Sequence, residues 1–258
     1  MLIAVRAPGL PRKGTPFAVA LSLALAVACD KEPSNLDTRP EPGPTAQPVP
    51  APTPTVEPPR APEIIVDTLN ISIGTQRVPS GEPGMTDKVA VLVTGQPMIA
   101  DQAVDFVAMR GAKPSLVAAV AAALRRAKAS RVTVKTSARD QTTQSLPLLF
   151  ATSFADCAAV AWIAKDAAID VWPAGGGTAK RIIKGMAGPD MTLGTEAVQK
   201  QITGCGAQEL LVGADDRFTW GLVFDLATMS LQAPGSRTSA VVLVTNAVPG
   251  RKVTPESL

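Results

Sequence analysis

The sequence contains neither histidine nor tyrosine, and aromatic residues make up only 3% of its 258 positions. Without histidine there can be no Ser/His/Asp triad, no Cys/His pair, no H-E-x-x-H zinc site and no imidazole pH switch. A G-x-S-x-G motif is also absent from the sequence. Enzymes whose catalytic groups are Asp, Glu, Lys or backbone donors alone remain possible. No cofactor and no metal are expected.

The N-terminus has the pattern of an export signal. Three basic residues, Arg6, Arg12 and Lys13, precede an uncharged apolar run at residues 17–28. Twelve residues are too few to cross a bilayer, which takes about 20 helical residues. Residues 25–29, Leu-Ala-Val-Ala-Cys, resemble the bacterial lipobox. That resemblance implies a signal peptide at 1–28 and acylation (palmitate among the chains) of Cys29. Ordinary secretory cleavage and a permanent membrane span are the alternatives.

Removal of the signal peptide would change the charge balance of the chain. The full sequence has 25 basic and 22 acidic residues, and cleavage before Cys29 would leave 22 of each. The excess positive charge therefore belongs to the signal, and nucleic acid is not an expected partner. More than one acyl chain anchors a protein stably. We expect a lipoprotein of the bacterial cell envelope, on the inner or outer membrane and facing the periplasm.

A proline-rich linker follows the lipidated cysteine, over residues 29–62. Residues 31–62 contain eleven prolines, which exclude helices and sheet ladders and favour extended polyproline II geometry. At about 3.1 Å per residue the segment could span roughly 100 Å. The sequence predicts a semi-rigid, disordered tether, and a PxxP ligand for a partner domain is the alternative.

The remainder of the chain predicts an α+β fold. It is read as two similar modules, residues 63–167 and 168–258, each a small mixed sheet with two helices packed on one face. An ungapped offset of 76 supports a tandem repeat, because residues 138–152 and 214–228 share six identical positions of fifteen. Predicted strands are 63–73, 88–94, 131–136, 158–164, 168–172, 209–213 and 239–245, and predicted helices are 116–129, 146–157, 193–203 and 219–231.

The second module resembles the periplasmic domain of the ExbD/TolR biopolymer-transport family. The resemblance lies in three runs: 209–216 (ELLVGADD), 219–227 (TWGLVFDLA) and 241–245 (VVLVT). In the first module it is fainter, and Gln144-Ser145 stands where the family has an aromatic-glycine pair. Proton-coupled members also carry an aspartate inside a transmembrane helix, whereas residues 17–28 contain no acid. The resemblance therefore implies the family's periplasmic module without its proton-bearing helix.

What the resemblance implies is a binding or assembly role and no enzyme activity. The expected partners are the membrane, through the lipid, and either an ExbB- or TonB-like envelope protein, met by strand addition or a sheet face, or peptidoglycan. A homo-oligomer is a further option. Two rival classes stay open: a cell-wall enzyme that uses carboxylates alone, and a structural spacer without a specific ligand.

Five residues of the folded part are candidate site residues. Cys157 and Cys205 remain after Cys29 is acylated, and an oxidising compartment favours a disulfide between the two modules. Two independent thiols are the alternative. Asp215 and Asp216 are candidates for a partner contact, and an acid/base or cation pair and a solvated loop are the alternatives. Trp220 is a core residue by default and a partner contact if it is exposed.

Overall fold

The computed structural model describes residues 61–254 except Pro97 and Thr152. The predicted signal peptide, Cys29 and almost all of the proline-rich linker lie outside the described residues. The strands are β1 (Ile64–Val66), β2 (Asn70–Ile73), β3 (Gln76–Pro79), β4 (Ala103–Ala108), β5 (Arg131–Ser137), β6 (Thr143–Leu148), β7 (Ala159–Ile163), β8 (Ile169–Pro173), β9 (Lys180–Ile182), β10 (Glu209–Ala214) and β11 (Ala240–Leu243). The helices are α1 (Met85–Thr94), α2 (Pro114–Arg126), α3 (Met191–Cys205) and α4 (Trp220–Gln232).

All eleven strands belong to one mixed sheet, in the order β3-β2-β1-β4-β5-β6-β11-β10-β7-β8-β9. β6 joins its two parts, since it is antiparallel to β5 and parallel to β11. The expected α+β class is therefore confirmed. We call residues 61–148 the N-terminal half and residues 157–254 the C-terminal half.

The same set of pairings occurs in both halves. In the N-terminal half β1 pairs antiparallel with β2, β2 antiparallel with β3, and β4 parallel with β1 and β5. In the C-terminal half β7 pairs antiparallel with β8, β8 antiparallel with β9, and β10 parallel with β7 and β11. The bounds of β4 and β10 differ by 106 residues, as do those of α2 and α4 and the first residues of α1 and α3. The offset of 76 was wrong, because it aligned the β5–β6 hairpin with a strand and a helix.

Two of the predicted elements have the other secondary structure. Residues 88–94 belong to α1 rather than to a strand. The buried residues of α1, Val89 and Val93, are four apart, and Val91 between them is 69% exposed, which is a helical period. Residues 146–157 contain the end of β6 and a loop rather than a helix. Leu146 and Leu148 are buried while Pro147 is exposed, which is the period of a strand.

The predicted strand at 63–73 is a hairpin. Asp67 breaks it, because its Oδ1 accepts the backbone N–H groups of Leu69 and Asn70 at 2.6 Å each and so forms an Asx turn. Strands β3, β4 and β9 were not predicted. The other predicted helices and strands are present with ends shifted by a few residues.

One face of the sheet packs against all four helices. Buried residues of the helices and alternate residues of nearly every strand form a single core, and its largest members are Phe106, Leu116, Leu124, Trp220 and Phe224. The opposite face, which we call the outer face, differs between the halves. In the N-terminal half it carries exposed or half-buried residues: Ile65, Ser72, Asp105, Val107, Thr133 and Lys135.

In the C-terminal half the outer face is covered. A C-terminal strap, residues 247–253, lies against a second apolar cluster that contains Val160, Trp172, Leu211 and Val242. The indole N–H of Trp172 donates to the Arg251 carbonyl at 2.9 Å, and the Val253 N–H donates to the Ala174 carbonyl at 2.8 Å. The strap thus covers this cluster together with Ala151 and Phe154 of the loop before β7.

Gly213 on β10 is required by close packing on this face. A Cβ at this position would lie 2.7 Å from the ring of Trp162 and closer still to the Val244 carbonyl oxygen. The corresponding residue of the N-terminal half, Val107, lies beside Ile65 and is 37% exposed. The Gly213–Trp162 contact therefore belongs to the C-terminal half alone.

Candidate functional site

An open cleft of about 460 Å³ lies where the two halves meet. Its floor is the carboxyl ends of β7, β10 and β11, and its wall is the first three turns of α2 from the N-terminal half. The lining residues are Thr86, Pro114, Ser115, Ala118, Ala119, Ala122, Trp162, Ala214, Asp215, Asp216, Val244, Thr245 and Asn246. The cleft therefore contains both aspartates that the sequence singled out.

Asp216 caps a helix of the other half. Its Oδ1 accepts the Ser115 backbone N–H at 3.1 Å and its Oδ2 accepts the Ser115 hydroxyl at 2.6 Å. A carboxylate at a helix N-terminus satisfies an unpaired N–H group and interacts favourably with the helix dipole. Asp216 thus supports the contact between the halves, and both of its oxygens are engaged.

Asp215 has a local partner. Its side chain is 35% exposed, and its Oδ1 accepts the backbone N–H of Arg217 at 3.0 Å. The Arg217 guanidinium lies 3.9 Å from the same oxygen and is itself 71% exposed. The loop after β10 is therefore held by Asx-type hydrogen bonding. Among the described residues, no three metal-ligating side chains come together.

Trp220 lies in the core and not on the surface. It is 0% exposed, and its indole N–H donates to the hydroxyl of buried Thr136 at 2.8 Å. Its ring centroid lies 6.2 Å from that of Phe224. Its backbone N–H donates to the Ala112 carbonyl at 2.7 Å. The interpretation of Trp220 as a partner contact is therefore wrong, because no part of the side chain reaches solvent.

An ion pair joins α4 to the loop after β4. Arg110 donates from both terminal nitrogens to Asp225, at 2.9 and 2.7 Å, and Arg139 donates from Nε to the same carboxylate at 2.9 Å. The hydrogen bond to Asp225 is the largest cause that raises the pKa of Arg110 above its ordinary value. Arg110 could not be predicted as a site residue, because nothing along the chain marks a partner 115 residues away.

A second buried carboxylate was also missed. Asp170 on β8 is 1% exposed and accepts two hydrogen bonds from Arg181, its neighbour on β9. Burial raises the pKa of Asp170, and the Arg181 guanidinium opposes that rise. Alternation along residues 168–172 places Asp170 on one face of a strand, but the sequence does not show that the strap covers this face.

Cys157 and Cys205 lie at disulfide-bonding distance, with Cα atoms 5.6 Å apart. Their positions differ from the expected ones. Cys157 lies in the loop before β7 and Cys205 is the last residue of α3, so both belong to the pairings of the C-terminal half. The bond therefore closes a loop within that half and does not connect the halves.

Loss of this disulfide should destabilise the fold. We expect the double variant Cys157→Ser/Cys205→Ser to lose about 2–4 kcal/mol of unfolding free energy, because a bridge between residues 48 apart restricts the unfolded chain. Urea denaturation with and without dithiothreitol measures this. Reductant should weaken the wild type alone, and quantitative alkylation of both thiols in unreduced protein would contradict the bond.

Comparisons with known proteins add no relative. No protein-family model matches the chain, and no curated protein or solved structure shows significant similarity to it. Within the described part of the chain, no helix combines the length and the apolar character needed to cross a membrane. The function is therefore inferred from the sequence and from the cleft.

Proposed function

We propose that the protein is a lipid-anchored, non-enzymatic component of the bacterial cell envelope that binds another protein through the cleft between its halves. The lipobox-like sequence before Cys29 and the proline-rich segment support the anchor and the spacer. The resemblance of residues 209–245 to ExbD/TolR modules supports a place in a biopolymer-transport or energy-transduction system.

We also propose that the folded part arose from two copies of one unit. The repeated pairings and the shared offset of 106 support this. The second copy then begins at β7 rather than at residue 168, because β7 forms a hairpin with β8. Placing the boundary at 167/168 would divide that hairpin.

One observation favours binding over catalysis: the carboxylates of the cleft are already engaged. Both oxygens of Asp216 accept hydrogen bonds from Ser115, and Oδ1 of Asp215 accepts the N–H of Arg217. A general acid/base pair instead needs two carboxyl groups that are directed at one substrate and have well-separated pKa values. An open cleft with engaged acids is suited to contact with a ligand.

Site-specific photocrosslinking in intact envelopes tests this function. A photoreactive amino acid at Asn246, on the cleft, should give a discrete crosslinked protein, whereas one at exposed Thr203 on α3, outside the cleft, should not. Recovery of an ExbB- or TonB-like protein would support the full proposal.

Three outcomes would contradict it. Crosslinks to muropeptides alone would indicate a wall binder, and equal labelling from Asn246 and Thr203 would indicate a spacer without a specific ligand. Cleavage of muropeptides by the purified protein, lost in Asp215→Asn, would indicate an enzyme.

A further inference from the structure

The halves meet at two equivalent places. At one of them Trp220 of α4 fills the space against β5, and at the other the space is the open cleft. By the offset of 106, Pro114 corresponds to Trp220. Phe106 and Val212 also correspond by this offset. Their neighbours on the next strand, Val134 of β5 and Leu243 of β11, are therefore equivalent. Two residues further along the chain, Thr136 corresponds to Thr245. Trp220 donates to Thr136, whereas Pro114 and Thr245 both line the cleft.

The two helix starts meet corresponding loop residues through different acceptor atoms. The Ser115 N–H of α2 donates to the side-chain carboxylate of Asp216, whereas the corresponding Gly221 N–H of α4 donates to the backbone carbonyl of Arg110, the residue that corresponds to Asp216. Each half therefore presents the loop after its fourth strand to the first turn of the other half's second helix. The two sites share one backbone framework and differ in side chains.

Three smaller side chains account for the open volume. Where α4 has Trp220, Phe224 and Thr228, α2 has Pro114, Ala118 and Ala122 at the corresponding positions. A pyrrolidine ring in place of an indole, and the loss of a phenyl ring and of one hydroxyl and one methyl group, leave room for at least one large side chain. The result is the cleft of about 460 Å³.

The geometry points to a tryptophan side chain of the partner protein as the occupant of this cleft. Its indole takes the position that the Trp220 ring has at the equivalent site. Its N–H donates to Thr245, as the N–H of Trp220 donates to Thr136. A hydroxyl has two acceptor lone pairs, so Thr245 can accept this N–H in addition to a bond that it already makes. Asp215 and Asp216 favour a basic residue next to that tryptophan. This inference rests on the proposed function and specifies its ligand.

Calorimetric titration of the full-length lipoprotein in detergent with N-acetyl-L-tryptophanamide tests the inference. We expect saturable millimolar binding, about fivefold weaker binding of the 1-methylindole analogue because it lacks the N–H donor, and no binding of N-acetyl-L-alaninamide. Equal affinities for the two indoles, or no binding of either, would overturn the inference.

Variants that fill the cleft provide the second readout. Pro114→Trp places the chain's own indole where the ligand would lie, and Ala122→Leu narrows the cleft. Each should reduce tryptophanamide binding at least tenfold, while Thr203→Leu should bind as the wild type does. If Pro114→Trp fails to fold, Ala122→Leu still decides, and wild-type binding in Ala122→Leu overturns the inference.

The two tests distinguish the ligand from the function. If tryptophanamide does not bind but a protein still crosslinks at Asn246, the tryptophan is wrong and the binding function stands. If tryptophanamide binds but Asn246 gives no crosslink, the cleft accepts an indole and the proposed protein partner is wrong.

Discussion

Trp220→Ala should lower the free energy of unfolding by about 3–5 kcal/mol, the range for removal of a large aromatic side chain from a core. The side chain is fully buried beside Phe224. Its N–H also satisfies the hydroxyl of Thr136, which is 1% exposed. Such a loss is a large part of the 5–15 kcal/mol that stabilises a typical domain.

Two further variants separate packing from the hydrogen bond. Trp220→Phe keeps most of the apolar area and should lose about 1–2 kcal/mol, since it removes the donor to Thr136 and part of the ring. Trp162→Ala, at a half-buried tryptophan, should cost less than Trp220→Ala. Urea denaturation followed by far-UV circular dichroism measures all three. Equal losses in Trp162→Ala and Trp220→Ala would show that Trp220 is not the central core residue.

The elements that the sequence predicted correctly have strong local signals. α2 begins at Pro114, has buried residues at helical spacing, and ends in Arg125 and Arg126, which favour the carboxyl end of a helix. Strands β7, β10 and β11 are apolar and buried on both faces, because the strap or a neighbouring loop covers their outer side. Local propensity and tertiary packing agree in these segments.

The wrong predictions lie where the local signal is ambiguous. Residues 88–94 are rich in β-branched valine, so propensity favours a strand, and the packing of α1 against α2, β2 and β3 overrides that preference. The register of the repeat failed for another reason. Few residues are identical at the offset of 106, and the chance match at the offset of 76 contains more identities over a short window. The backbone pairing of the strands gives the register directly.

The cleft could be predicted only in part. Asp215 and Asp216 follow an apolar strand, so their position at the strand's carboxyl end was expected. The partner of Asp216, Ser115, lies 101 residues away and comes from the other half. No pattern along the chain encodes that contact, since it arises from the way each half's loop meets the other half's helix.

Disruption of the ion pair between Arg110 and Asp225 should also lower the free energy of unfolding substantially. Asp225→Ala leaves the Arg110 guanidinium, only 28% exposed, without its bidentate partner. Breaking a buried pair costs about 3–5 kcal/mol. We discount this to about 2–3 kcal/mol, because solvent reaches part of the guanidinium.

Arg139→Ala is the matched control. Arg139 donates to the same carboxylate, but its side chain is 70% exposed, so its loss should cost less than about 1 kcal/mol. The double variant Arg110→Met/Asp225→Leu should be more stable than Asp225→Ala, since the one charge that it leaves unpaired, on Arg139, is 70% exposed. Because Arg110 and Asp225 come from different halves, urea unfolding of Asp225→Ala should also lose cooperativity if the pair holds the halves together. Equal losses in Arg139→Ala and Arg110→Ala would contradict this role, because they would place both guanidinium groups in the same solvated environment.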